Sequence, residues 1–178
     1  LTGGLTGTGS IATNGAAVNL NNTLSATDTS TVVISGTGSV RNQTGLQTLN
    51  GTNTYTGATS VSAGTLSLGA SAYSSSGYDV SSGAVLNFNI ASGVTTAGAT
   101  PNNTAFTGAG TITKTGAGTL SWGTGAATFN MSAGGLIDVQ AGTFIGGSNN
   151  NEVWTNNKSS LNVAAGATFD TAEAAVRV

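Results

Sequence analysis

A short sequence unit that contains glycine recurs along the chain and limits the folds that the chain can adopt. Each copy places a glycine and one or two small residues before a short run of alternating apolar and polar positions. In the second half, the glycines of this unit fall at 110, 118, 134, 142 and 166, so every spacing is a multiple of eight. Glycine relieves the steric cost of a tight turn, and Thr, Val, Ile and aromatic residues favour strands. The pattern therefore predicts a succession of turns and short strands.

The alternation also predicts which side chains share a face of each strand. Leu66 and Leu68 point one way and Ser67 the other, and Leu86 and Phe88 repeat this arrangement. Many short strands at regular spacing are typical of a sandwich, a barrel or a solenoid. Units that can stack on copies of themselves, together with small side chains throughout, favour an all-β fold, the right-handed parallel β-helix (β-solenoid). The alternative is a β-sandwich.

A β-helix of this length has a predictable number of coils. At about 20 to 25 residues per coil, the chain is expected to form roughly seven to nine coils. Three polar stretches, 73–78, 100–103 and 148–152, interrupt the pattern and are predicted to project as loops. We find no internal domain boundary, so residues 1–178 are interpreted as a single β-solenoid segment, which we expect to be part of a longer chain.

The composition excludes several classes of function. The 178 residues include four Lys+Arg, six Asp+Glu, and no His or Cys. Imidazole and thiolate catalysis, zinc sites and disulfides are therefore excluded. Four basic side chains cannot neutralise a run of phosphates, so we expect no nucleic-acid binding. No apolar run reaches the length of about 18 residues that a membrane helix needs. We expect no enzyme, cofactor or metal site.

Two segments resemble a known repeat. The stretch from Leu49 to Gly69 contains Asn-Thr-Tyr-x-Gly at 53–57, Thr-x-Val at 59–61 and Gly-x-Leu at 64–66. It resembles the passenger-associated β-strand repeat of bacterial autotransporters. A second stretch, Gly110 to Ser121, is similar to the other half of that repeat, a Lys-x-Gly-x-Gly-x-Leu segment that begins here at Lys114.

The resemblance implies a location and a role. Such repeats form extracellular β-helical stalks of large secreted or surface proteins of Gram-negative-type bacteria, and they carry no catalytic residues. The first hypothesis is thus a structural, non-catalytic stalk or scaffold at the cell surface. The second is a self-assembling subunit of an extracellular filament or matrix, since open sheet edges template pairing with further copies, end to end or laterally. A glycan-binding adhesin is a third reading.

Charged side chains occur singly along the sequence. Asp138 and Asp170 could form a carboxylate pair for glycoside hydrolysis if they lay about 5 to 9 Å apart. The alternative is that Lys114, Asp138, Lys158 and Asp170 are isolated, solvated charges at the edges of the coils. With so few titratable groups, we expect stability to change little between about pH 5 and pH 9.

Threonine and aromatic residues provide the remaining candidate surfaces. The Thr-x-Thr elements at 52–56 and 111–115 could line a flat face that orders water or ice, or simply suit exposed strands. Sugar-stacking aromatics are a further candidate, and the set is Tyr55, Tyr73, Tyr78, Trp122 and Trp154. Trp122 is in phase with Leu120 and is predicted to lie in the core. The candidate surface contact, for glycans among other partners, consists of Trp154, Glu152 and Lys158; the alternative is that Trp154 packs onto the rod.

Overall fold

Parallel strands wind the chain into a β-helix. The structure is a computed structural model, and it describes residues 4–22, 28–69, 72–73, 75–98, 104–122, 127–146 and 156–170. All paired strands in these ranges run parallel, and none of the described residues is helical. The predicted parallel β-helix is confirmed, and the β-sandwich alternative is wrong.

The strands fall into four sheets. The six-stranded sheet contains β2 (Val18–Asn21), β5 (Val40–Thr44), β7 (Thr59–Val61), β10 (Gly77–Val80), β13 (Thr104–Gly108) and β16 (Ala127–Met131). The seven-stranded sheet contains β3 (Asp28–Ser30), β6 (Leu46–Leu49), β8 (Thr65–Leu68), β11 (Val85–Asn89), β14 (Thr111–Thr115), β17 (Leu136–Val139) and β19 (Ser160–Val163). The five-stranded sheet contains β9 (Ala72–Tyr73), β12 (Thr95–Gly98), β15 (Thr119–Ser121), β18 (Thr143–Ile145) and β20 (Thr168–Asp170). The last pair is β1 (Ser10–Ala12) with β4 (Val33–Ser35).

Each coil has three sides. In chain order, a strand of the six-stranded sheet is followed by one of the seven-stranded sheet, and the third side belongs to the β1–β4 pair in early coils and to the five-stranded sheet in later ones. The eight-residue glycine spacing therefore corresponds to one side of a coil of about 24 residues.

The strand register fixes the length of each coil. Paired positions in the seven-stranded sheet define coils of 19, 20, 26, 25 and 24 residues, and these positions are Gln47, Leu66, Leu86, Ile112, Ile137 and Leu161. The seven strands of that sheet mark six complete turns. These coil lengths agree with the expected length of about 20 to 25 residues, and the number of turns is below the expected seven to nine because this sheet spans only the part of the chain from Asp28 to Val163.

The core consists of columns of inward side chains that continue from coil to coil. Leu66, Leu86, Ile112 and Ile137 form one such column, and each is fully buried. The later coils contain aromatic rings in addition to these aliphatic columns. Their buried aromatic residues are Tyr78, Phe88, Phe106, Trp122, Phe129 and Phe144. The longer coils therefore enclose bulkier side chains.

The structure corrects one of the three predicted loops. Residues 73–78 do not form a projecting loop, because Tyr73 belongs to β9 and Tyr78 lies within β10. Tyr78 is buried and its ring stacks on Phe106 at 5.2 Å between centroids. The other two predicted loops, 100–103 and 148–152, lie outside the described residues.

Some turns admit only glycine. Gly64 has a φ of +72°, and a Cβ there would overlap the backbone of Gly45, one coil earlier. Gly83 has a similar φ of +79°, but a Cβ there would meet nothing within 4 Å. We expect Gly64→Ala to lower the free energy of unfolding by about 2 to 4 kcal/mol, since backbone strain and steric overlap add. Gly83→Ala, which carries the strain alone, should cost about 1 kcal/mol. Urea unfolding of both variants tests this, and equal losses would contradict it.

Candidate functional site

The most unusual side chain of the molecule is a lysine inside the solenoid. Lys114 lies on β14 and is fully buried, in register with Phe88 on one side and Val139 on the other. Its Nζ donates hydrogen bonds to the carbonyl oxygens of Thr115 at 2.9 Å, Gly116 at 2.7 Å and Ala141 at 3.0 Å. The ammonium thus joins the turn after β14 to the corresponding turn of the next coil.

This geometry overturns the prediction that Lys114 is a solvated charge at the edge of a coil. Burial lowers the pKa of Lys114 to about 8, because removal from water disfavours the ammonium. The three carbonyl acceptors oppose that shift, since they stabilise the charged form. The strand alternation contained a signal for this position, because Lys114 is two residues after the inward-facing Ile112.

The Asn-Thr-Tyr-x-Gly segment forms the third side of its coil through specific contacts. Asn53 Oδ1 accepts a hydrogen bond from the Ile34 amide at 2.9 Å, and its Nδ2 donates to Gly51 O at 3.0 Å. The amide of Thr54 donates to Ile34 O at 2.8 Å. Asn53 therefore closes the backbone pairing between neighbouring coils where no regular strand is formed.

Tyr55 starts a chain of buried hydroxyl groups. Its hydroxyl lies 2.6 Å from Thr59 Oγ1, which donates to Ser75 Oγ at 3.0 Å. Ser75 Oγ lies 3.0 Å from the carbonyl oxygen of Gly57 and 2.8 Å from that of Gly77, and its single proton is shared between these two acceptors. Burial raises the pKa of Tyr55 to about 12. Tyr55 is therefore not a sugar-stacking platform, because its ring is buried and its hydroxyl takes part in this hydrogen-bonded chain.

The two candidate catalytic carboxylates lie on different sides of the rod. Asp138 is on β17 of the seven-stranded sheet, and Asp170 is on β20 of the five-stranded sheet. Both oxygens of Asp138 accept amide hydrogen bonds, from Gln140 at 2.6 Å and from Asn162 at 2.7 Å. Asp138 thus belongs to a polar ladder between coils, and the structure does not bring the two acids together as a hydrolytic pair.

The two predicted threonine elements differ in exposure, since Thr52, Thr54 and Thr56 are exposed as predicted but segment 111–115 is not a continuous exposed array, because Thr113 is buried. In addition, one threonine from each of four successive coils occupies the same register position in the five-stranded sheet, and these are Thr95, Thr119, Thr143 and Thr168. Sequence spacing missed this column because its members are separated by whole coils.

Most of the candidate aromatic residues belong to the core. Tyr55, Tyr78 and Trp122 are all buried, which contradicts a role in surface sugar stacking and confirms the core assignment of Trp122. The side chain of Tyr73, together with Trp154 and Glu152, lies outside what the structure describes. Lys158 is described and exposed, and its amide donates to Met131 O at 2.9 Å, beside β16.

The C-terminal end of the described solenoid is the only place where inward-column residues are strongly exposed among the described residues. Leu161 and Val163 of β19 are 48% and 40% exposed, whereas their register partners Ile137 and Val139 are fully buried. Among the described residues, Leu161 and Val163 are thus more exposed than the column residues that precede them.

No group of three or more His, Cys, Asp or Glu residues in the described ranges is placed to hold a metal ion. The same ranges contain no helix that is long and apolar enough to cross a membrane.

Comparison with known families identifies one segment. The model of the passenger-associated-transport-repeat family matches residues 40–68. These residues run from the first residue of β5 to the last residue of β8, so they include the Asn53 and Tyr55 contacts. Comparison with curated proteins and with solved structures gives no significant match. The second predicted segment, Gly110 to Ser121, lies outside the matched residues. The resemblance to an autotransporter passenger repeat is thus confirmed for the β-solenoid segment that β5 to β8 form.

Proposed function

We propose that the chain is a non-catalytic structural segment of a large extracellular bacterial surface protein, in which it forms a β-helical stalk. One observation carries this proposal: apolar columns run from coil to coil through a solenoid that contains a passenger-associated repeat. In a solenoid, each coil contacts only its neighbours. Adding coils therefore lengthens the rod without requiring a binding or catalytic site. A rod of this kind acts as a spacer.

The polar groups support the same reading. Three of the polar side chains that the sequence marked as chemical candidates are engaged in structural hydrogen bonds. Lys114 binds three carbonyl groups, Asp138 binds two amides, and Tyr55 binds Thr59. Side chains committed to structure in this way are poorly placed for proton transfer or nucleophilic attack.

A stalk should tolerate the loss of a whole coil but not of half a coil. Deleting residues 86–111 joins Val85 to Ile112, which occupies the same register position as Leu86. We expect this variant to unfold cooperatively with an unchanged β circular dichroism spectrum, because the inward columns remain aligned. The matched control, deletion of residues 86–98, removes β12, the turn before it and all of β11 except Val85, and it should abolish folding.

Location is tested in the bacterium that makes the protein. Antibody against the chain should label intact cells without permeabilisation, and the whole-coil deletion should be labelled equally. Labelling only after permeabilisation, or hydrolysis of polysaccharide by the purified chain, would overturn the proposal.

A further inference from the structure

Tight two-residue turns project from corners of the coils. One of them is closed by a hydrogen bond from the Ala16 amide to Thr13 O at 2.7 Å. Its two central residues, Asn14 and Gly15, are exposed and have φ values of 45° and 87°. Two successive positive φ values are typical of a type I′ turn, in which Asn-Gly is the favoured pair.

The exposure of this turn does not depend on its place in the first coil. Turns closed by the same type of hydrogen bond occur at residues 82–83 and 92–93, beside strands that are paired on both edges. Their central residues are also exposed, and a Cβ on Gly83 or Gly93 would meet no described atom within 4 Å. Because such turns point away from the rod, a further coil stacked on the first would leave Asn14 and Gly15 accessible.

A second Asn-Gly pair, Asn50 and Gly51, lies in a different environment. The Asn50 amide donates to Ser30 O at 2.7 Å, so this backbone is paired with the preceding coil. Gly51 is buried, and a Cβ there would lie only 2.2 Å from Val32 O. Its carbonyl oxygen accepts a hydrogen bond from Asn53 Nδ2 at 3.0 Å. The backbone on both sides of the Asn50–Gly51 peptide bond is therefore fixed.

We propose that Asn14 is a site of spontaneous deamidation and that the fold protects Asn50 from the same reaction. This inference concerns the covalent chemistry of the chain and does not depend on the stalk function. The backbone nitrogen of Gly15 attacks Cγ of Asn14, and the bond from Cγ to the side-chain nitrogen breaks. The proton of the Gly15 amide passes through solvent to the departing nitrogen, which leaves as ammonia. Water then opens the five-membered succinimide at either carbonyl carbon, and aspartate or isoaspartate results.

The two pairs differ in what must open before the ring can close. The peptide plane between the Asn and the Gly has to rotate, which requires local opening of the backbone. At Asn14, this opening breaks the turn hydrogen bond from Ala16, and the nearest described atom to a Cβ on Gly15 would be Thr37 Oγ1 at 3.8 Å.

At Asn50, the same rotation separates the backbone from Ser30 and drives Gly51 against the Val32 carbonyl. It also breaks the contact with Asn53. Each additional hydrogen bond that must break lowers the population of the open state several-fold. We therefore expect Asn50 to react at least about tenfold more slowly than Asn14 in the folded protein.

The product should remain folded and accumulate. Deamidation adds one carboxylate, so the formal net charge changes from -2 to -3. Isoaspartate also lengthens the backbone by one methylene, but it does so in a turn that points away from the core. The chain should therefore acquire an acidic form with an unchanged β circular dichroism spectrum.

Peptide mapping by mass spectrometry tests the proposal on the 178-residue chain, incubated at pH 8 and 37 °C. In the folded protein, the gain of water and loss of ammonia should appear at residue 14 at least about tenfold faster than at residue 50. The matched control is the same chain in guanidinium chloride. There both asparagines precede an unhindered glycine and should react at similar rates.

Two variants assign the acidic form to its residue. Asn14→Gln should remove it, because the corresponding ring would have six members and closes slowly, whereas Asn50→Gln should leave it unchanged. If Asn50 reacts as fast as Asn14 or faster in the folded chain, or if Asn14 reacts only in denaturant, the proposal is overturned.

Discussion

Lys114→Met is expected to lower the free energy of unfolding by about 2 to 4 kcal/mol at pH 7. Methionine keeps most of the apolar length of the side chain but removes three charge-assisted hydrogen bonds. Each such bond contributes about 1.5 to 3 kcal/mol. Removal of the buried ammonium returns about 3 kcal/mol, but it takes the donor away from three carbonyl oxygens inside the solenoid, at about 1 to 3 kcal/mol each, so the variant is less stable on balance.

Lys114→Met should also remove a pH dependence of the free energy of unfolding. The pKa of Lys114 is lowered from 10.5 in the unfolded chain to about 8 in the folded one. Between these values the unfolded chain binds more protons than the folded one, so stability rises as the pH increases. The native protein should gain up to about 3 kcal/mol between pH 8 and pH 10.5, and the variant should not. Composition alone predicts near-constant stability up to about pH 9, whereas the buried lysine leads us to expect a rise that begins near pH 8.

Tyr55 limits the pH range in which the lysine can be observed. Its pKa is raised from 10.0 to about 12 in the folded protein, so the folded state holds the proton more tightly. Stability consequently falls as the pH rises above 10. The contribution of Lys114 is best isolated between pH 8 and pH 10.

Urea unfolding of the native protein and Lys114→Met at pH 7, 8, 9 and 10 measures both effects. Lys158→Met is the matched control, because Lys158 is exposed and should change stability by no more than about 0.5 kcal/mol. If Lys114→Met shows the same alkaline rise as the native protein, the buried ammonium is not its cause.

The periodicity of the sequence was sufficient to predict the coils. Glycine positions at multiples of eight reflect one side of a three-sided coil, and alternation in segments such as 65–68 and 85–89 predicted the inward faces correctly. Both signals are local, because they depend on one turn and one strand at a time. They could not give the length of the later coils, since the register between strands is set by packing across 24 to 26 residues.

Predictions based on residue type were wrong at positions where contacts between coils determine burial. Lysine and tyrosine are usually exposed or half-exposed, so Lys114 and Tyr55 were placed on the surface. Their burial depends on partners in neighbouring coils, Ala141 for the lysine and the Thr59–Ser75 hydroxyls for the tyrosine. The exposure of Leu161 and Val163 was also not predictable from the sequence, because these residues follow the same alternation as buried strands.

Phe106→Ala is expected to cost about 4 to 6 kcal/mol, the largest loss of any single truncation in the core. Phe106 is fully buried and stacks between Tyr78 at 5.2 Å and Phe129 at 4.9 Å, with ring planes 12° and 9° apart. Its edge-to-face contact with Trp122 has a centroid distance of 5.1 Å. Truncation of a buried Phe costs about 3 to 5 kcal/mol, and each aromatic pair adds about 0.5 to 1.5 kcal/mol.

The loss of stability on truncation depends on where the ring lies among the stacked aromatic residues. Phe106 has a ring from the coil on each side, whereas Phe169 stands in the last described strand and is only partly buried. Phe169→Ala should therefore cost about 1 to 2 kcal/mol, and Phe106→Leu, which keeps most of the volume, a similar amount.

Unfolding followed by tryptophan fluorescence reports on this region directly, because Trp122 contacts Phe106. Since coils in a solenoid depend on their neighbours, Phe106→Ala should also separate the unfolding of the early coils from that of the later ones. Equal losses for Phe106→Ala and Phe169→Ala would show that the stacked rings do not couple neighbouring coils.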